Sequence, residues 1–166
     1  MAGPFPGSEP RRARVLLTEL LSADRVRVPL ASTSKDAVLE ELVGVLEKAG
    51  VVDNPAATLA AVRRREDELS TGIGGGVAIP HGKSDAAAGL AMAAGVAPQP
   101  VDFASLDGAP VRLFFLLVGP ESAAGLHVKA LSRISRLVRR EETRARLAGA
   151  TSAEDFMAVV AEAEAE

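Results

Sequence analysis

Val111-Arg112-Leu113-Phe114-Phe115-Leu116-Leu117-Val118 is the stretch on which the fold turns. It has the length of a strand and, past Arg112, carries no polar residue on either face. A strand with one face in water alternates polar and apolar side chains, whereas one apolar on both faces must be covered on both. Residues 111–118 therefore read as the central strand of a sheet flanked by helices. The neighbouring sequence supplies those helices. Residues 34–49 place Val38, Leu42, Val45, Leu46 and Ala49 at helical spacing, with Thr33 or Ser34 as N-cap and Gly50 as stop. Asn54-Pro55 offers a cap and a first-turn proline for a second helix running to about Asp67. Further helices are predicted at 15–21, 126–138 and 141–148, and from Thr151 or Ser152 to the fraying AEAEAE end. Strands are predicted around Val26, Val28 and Leu30, at Val77–Ile79 with Pro80 ending it, and at 90–97. The pattern is α/β, a single domain whose sheet is flanked by helices on both faces.

Composition bounds the chemistry. With 166 residues, 48% apolar and 25% charged, the chain suits one domain with one self-sufficient core. It contains no cysteine, which excludes disulfides, thiolate metal sites and a cysteine nucleophile within the chain and fits a cytoplasmic address. A formal charge of −3 gives no reason to expect nucleic acid or an anionic membrane as partner. Five Phe, with no Trp or Tyr, supply no stacking platform for bases. No apolar run reaches the roughly 20 residues that span a bilayer, so no direct membrane insertion is expected. Residues 1–13 are read as a flexible lead-in without the apolar core of a signal peptide, and residues 14–166 as the domain.

Chemistry concentrates at 65–84, REDELSTGIGGGVAIPHGKS. A Walker loop needs four residues between its glycines, but Gly76 and Gly82 enclose five before Lys83-Ser84. A dinucleotide fingerprint starting at Gly72 meets Val77 where its last glycine belongs. The glycines then read as a loop that breaks regular structure. His81, one of two histidines, is pinned between Pro80 and Gly82 at a strand end. A neutral imidazole is nucleophilic near neutral pH, and its phosphoramidate passes the group onward, which suits a relay. Such a site needs donors for the phosphoryl oxygens. Arg65, Ser70, Thr71, Lys83, Ser84 and the amides of Gly72–Gly76 are the candidates. A lone histidine in a glycine-rich connection has a blander reading as a surface residue. His127 stands four residues before Leu131 and seven before Ile134, so it turns toward the covered face, as a core histidine or as a second imidazole meeting His81. Two histidines without cysteine are too few for a usual zinc site unless Asp85 or Glu121 joins them, and no metal or other cofactor is expected. Arg133, Arg136, Arg139, Arg140, Arg144 and Arg146 read as a solvated helix face.

Arg65-Glu66, Ser70 to Gly74 (STGIG), Gly76 to Lys83 (GVAIPHGK) and His127 to Leu137 (HVKALSRISRL) together resemble the type-2 enzyme IIA domains of the bacterial phosphoenolpyruvate:sugar phosphotransferase system, the fructose, mannitol and nitrogen-regulatory group. The resemblance runs from about Val15 to the C-terminal helix. It implies that His81 is the phosphorylated residue, receiving its group from the histidine phosphocarrier HPr or an equivalent and giving it to a cysteine on a separate IIB partner in sugar uptake. It further implies that His127 matches the second active-site histidine and Arg65 the arginine that stabilises the phosphoryl group. The family fold, a mixed sheet between helices, agrees with the reading made from the residues. An alternative within the same resemblance is a nitrogen-regulatory module that controls partner proteins through the phosphorylation state of His81. With no cysteine and no long apolar run, the chain is expected to be a free-standing IIA.

Overall fold

The computed structural model describes residues 15–165, so the segment read as a lead-in lies outside the described residues. Among the described residues the chain runs through α1 (Leu17–Leu20), a 3-10 turn (Ala23–Arg25), β1 (Val26–Arg27), α2 (Lys35–Lys48), α3 (Pro55–Glu68), β2 (Gly72–Gly74), β3 (Val77–Ala78), β4 (His81–Lys83), β5 (Ala91–Val101), β6 (Val111–Gly119), a 3-10 turn (Glu121–Ala123), α4 (Ala124–Leu137), α5 (Glu141–Ala148) and α6 (Ala153–Ala165). The sheet is mixed, in the order β1-β5-β6-β3-β2, with β4 also paired to β6. β5 runs antiparallel to β6, while β3 and β4 run parallel to it. β6 is thus central, as its sequence requires.

Alternation along β6 divides the core in two. Leu113, Phe115 and Leu117 face one side, where they meet α4, α5 and α6 through Ile134, Leu147 and Phe156. Phe114, Leu116 and Val118 face the other, against α2 and α3 through Leu39, Leu42 and Val62. Full burial of each phenylalanine ring stabilises the fold by about 2–3 kcal/mol. The helix starts match their caps. Ser34 accepts from the Ala37 amide at 3.3 Å, Asn54 from the Ala57 amide at 3.0 Å, and Ser152 from the Asp155 amide at 3.0 Å.

One local expectation is corrected. The glycine loop keeps regular pairing: Gly72 and Gly74 form β2 antiparallel to β3, and Gly74, Gly75 and Gly76 turn the hairpin with positive φ. Pro80 lies in the break that ends β3, as the sequence predicts, but pairing to β6 resumes directly beyond it. Proline removes one ladder N–H but keeps its carbonyl, and that carbonyl accepts from the Leu117 amide at 3.0 Å, so pairing resumes with His81 opposite Leu117. β3 and β4 are separate strands that follow one another along β6, with Ile79 and Pro80 between them.

Candidate functional site

The residues from 77 to 83 alternate between the two faces of the sheet. Ile79 belongs to the α4 side, so His81, two residues on, projects toward α4; Ala78 belongs to the α3 side, and Gly82 faces α3. A Cβ at Gly82 would stand 2.9 Å from the Val62 amide nitrogen and 3.0 Å from the Ala61 carbonyl carbon. Glycine here is a requirement of close approach, and it lets α3 lie directly on β4. Between α3, β4 and α4 opens a cleft of about 450 Å³, lined by Arg64 and Arg65 of α3, His81, Gly82 and Lys83 of β4, and His127, Val128 and Leu131 of α4. The two imidazoles meet edge to face with centroids 5.5 Å apart.

The His81 ring is held in one orientation. Its Nδ1 lies 2.8 Å from the Ile79 carbonyl oxygen, and a carbonyl only accepts, so the proton sits on Nδ1. Nε2 therefore carries the lone pair. Burial is the largest influence on this ring and lowers its pKa; the Ile79 hydrogen bond opposes it, Arg65 lowers the value further and Glu66 raises it, with a net fall from the ordinary value. His81 is then neutral at physiological pH, with a nucleophilic nitrogen.

His127 is 4% exposed, and its Nδ1 has no hydrogen-bond partner among the described residues. A buried N–H without an acceptor is costlier than a bare lone pair, so the proton belongs on Nε2. Burial, followed by the charges of His81 and Lys83, pushes its pKa down to about 4, with Glu121 opposing. Because the unfolded chain takes up this proton near pH 6.5 and the folded chain only near 4, the neutral ring's contribution is whole above 6.5 and is lost as pH falls toward 4. The shift is worth about 3 kcal/mol. A His127→Gln variant should lack that loss, and urea denaturation of both proteins between pH 7 and pH 4 measures it. Parallel pH dependences would remove His127 from the account.

Behind His81 lies a buried carboxylate, Glu66, quoted above beside Arg65 but assigned no role there. The Glu66 side chain is 3% exposed, pairs with Lys35 at 2.9 Å, and accepts from the Thr71 amide at 3.0 Å and the Thr71 hydroxyl at 2.5 Å. The Thr71 carbonyl accepts from the Ile79 amide at 3.0 Å, and the Ile79 carbonyl accepts from His81. A chain of hydrogen bonds thus ties the imidazole to α3. Lys35 also donates to the Phe103 carbonyl and lies over that ring, which fixes the ammonium.

The structure places the other candidates differently. Arg65 lines the cleft from the last turn of α3 and donates to the Leu69 carbonyl at 2.8 Å. Lys83 lines it from β4 and pairs with Glu121 at 3.4 Å. Ser70 does not line it; its hydroxyl donates to the Phe103 carbonyl and accepts from the Gly72 amide. Thr71 is 4% exposed and spends its hydroxyl on Glu66. Ser84 sits against Thr58 and the Ala86 amide, and the Gly75 amide donates to Asp107. Among the described residues no group of three or more His, Asp or Glu side chains is placed to hold a metal ion.

The site is thus an α/β domain's cleft in which two neutral imidazoles face each other beside the cations of Arg64, Arg65 and Lys83. Residues 19–163 match the model of the phosphoenolpyruvate-dependent sugar phosphotransferase system EIIA 2 family, and the chain belongs to that family. It is 40% identical over 144 residues to the fructose-specific EIIABC component of Bacillus subtilis, covering 87% of this chain but only 23% of that protein. It is 36% identical to the nitrogen regulatory protein of Bradyrhizobium diazoefficiens, over 87% of this chain and 94% of that one. The crystal structure of nitrogen regulatory protein IIA-Ntr from Neisseria meningitidis superposes with a TM-score of 0.81 at 32% identity, over 87% of this chain and 98% of that one. Both sugar-specific and nitrogen-regulatory proteins are among the relatives.

Proposed function

We propose that this chain is a cytoplasmic phosphoryl carrier of the sugar phosphotransferase system: His81 accepts a phosphoryl group on Nε2 from an HPr-like phosphocarrier and passes it to a cysteine of a IIB partner. The observation that carries this reading is the Ile79 hydrogen bond, which takes up the proton on Nδ1 and leaves Nε2 as the nucleophile in a cleft open to a partner. In the first step the Nε2 lone pair attacks phosphorus as the donor's P–N bond breaks and its electron pair returns to the donor nitrogen. In the second, a thiolate of the acceptor attacks phosphorus and Nε2 leaves with its pair. The Ile79 carbonyl shares the Nδ1 proton throughout and stabilises the charge that develops on the phosphorylated ring.

Arg65 and Lys83 supply cations at the rim, and the Nε2–H of His127 is the donor to a phosphoryl oxygen. In this reading Thr71 acts at a distance, through the hydrogen-bond path to Ile79 and His81, and neither it nor Ser70 touches a phosphoryl oxygen. Val128, 66% exposed, and Leu69, 57% exposed, give the surroundings an apolar surface for brief docking. Incubation with phosphoenolpyruvate, enzyme I and HPr tests the proposal by intact mass: one acid-labile phosphoryl group is expected, and none would overturn it. Arg65→Glu places a negative charge beside the phosphoryl group and should slow acceptance by about 100-fold. An unchanged rate would take Arg65 out of the site.

A further inference from the structure

Lys83 stands two residues beyond His81 on β4, so both side chains leave the strand on the face turned toward α4. The register of the strand decides what the lysine meets there. Lys83 lies opposite Gly119 of β6, and the Ser84 amide donates to the Gly119 carbonyl at 2.9 Å. β6 ends at that glycine, and the 3-10 turn of Glu121–Ala123 begins two residues on. Glu121 is thereby brought to the Lys83 ammonium at 3.4 Å, a contact between β4 and the turn that leads into α4.

The pair is loose. Charge-assisted contacts close to about 2.7–2.9 Å, as Lys35–Glu66 does at 2.9 Å and Arg146–Glu162 at 2.8 Å, whereas Lys83–Glu121 stays at 3.4 Å with side chains 47% and 77% exposed. An exposed pair of this kind adds little to the stability of the fold. Its place gives it another use. Lys83 lines the histidine cleft, and both charges reach the buried ring of His127, Lys83 lowering its pKa and Glu121 raising it. That ring faces His81 with centroids 5.5 Å apart. The pair thus lies within electrostatic reach of the space between the imidazoles, where a phosphoryl group adds a charge of about −1.5 to −2. Such a group outcompetes a single exposed carboxylate for an ammonium on a flexible four-carbon stem.

We propose that Glu121 is a positioning residue of the relay, which holds the Lys83 ammonium at the rim while His81 is unmodified and surrenders it to the phosphoryl oxygens once His81 carries the group. The inference rests on the reading of His81 as the phosphoryl carrier. Separating the pair offsets part of what the lysine gives to the phosphorylated state, so Glu121 keeps the group easier to pass on. Glu68 lines the same cleft from α3 without pairing with Lys83, and it serves as the control for charge alone.

The test equilibrates the protein with a fixed pool of HPr and phospho-HPr and reads the phosphorylated fraction of both by intact mass. Glu121→Gln should move the equilibrium toward the phosphorylated chain by about two- to fivefold. The same substitution in a Lys83→Gln background should not move it. Both side chains are exposed, so the variants keep the core. An unmoved equilibrium in Glu121→Gln, an equal shift in Glu68→Gln, or a shift that persists without Lys83 would overturn the proposal. The lysine itself is followed by its ¹³Cε signal in protein loaded from phosphoramidate, which phosphorylates histidine without a carrier protein. That signal should move on loading of the wild type, and a signal that stays in place would overturn the proposal. Loading from phosphoramidate but not from phospho-HPr would overturn the carrier reading and leave the lysine signal to decide this one. No loading from either source would overturn both.

Discussion

His81→Ala should accept no phosphoryl group from phospho-HPr while keeping its fold. The side chain is half-buried at a sheet edge beside a cleft, so its removal opens space toward solvent and leaves no sealed cavity. Truncation also removes a ring that burial holds at a lowered pKa, and with it a desolvation cost. Stability should change by less than about 1 kcal/mol. Activity depends on one atom, Nε2, for which His127 is no substitute: its proton occupies Nε2 and its Nδ1 is sealed from the cleft. Intact mass after incubation with the donor system should show full incorporation in the wild type and none in the variant. Incorporation at wild-type level in His81→Ala would show that another residue carries the group.

The second large effect is expected at Glu66, on stability first and on activity through it. Glu66→Ala leaves the Thr71 amide without its acceptor and Lys35 without its counter-charge. Removing one member of a buried ion pair costs about 3–5 kcal/mol, and because Lys35 is partly exposed the lower end applies, about 3 kcal/mol. The loss should appear as a lowered urea midpoint with an unchanged m-value. Thr71 also carries the hydrogen-bond path to Ile79 and His81, so the variant's imidazole should show a mixture of tautomers by ¹⁵N shifts where the wild type shows Nδ1–H alone. Glu66→Gln, which preserves shape and one acceptor oxygen, should fall between the two in both respects. A variant with wild-type stability and a single tautomer would refute the link.

Much of this was legible in the residues, and what was not has a physical reason. The unbroken apolar run of 111–118 placed β6 in the centre because only a strand covered on both faces can afford Phe114 and Phe115 side by side. The caps at Ser34 and Asn54 marked the helices, since they act on amides two or three residues away. His127 could be turned inward because helical spacing is periodic. Pro80 marked the end of β3 but not the resumption of pairing at once beyond it, because that depends on the Pro80 carbonyl meeting the Leu117 amide, far along the chain. Ser70 and Thr71 looked like phosphoryl donors beside the glycines, yet their hydroxyls go to Phe103 and Glu66, partners that sequence proximity does not reveal. Glu66 stood in the Arg65-Glu66 pair without a role of its own, and its burial follows from Lys35 and Thr71 arriving from other elements. The arginine row is solvated at Arg136, Arg139, Arg140 and Arg146, as read, while α6 brings Glu164 against Arg133, a contact that spacing along one helix does not reveal.

The central claim is that His81 Nε2 is the phosphoryl-carrying atom, and the most direct measurement is nuclear magnetic resonance of the phosphorylated protein with ¹⁵N-labelled histidine. The account predicts a phosphorus–nitrogen coupling at Nε2 of His81 and a retained proton on Nδ1. A coupling at Nδ1, or at His127, would contradict it.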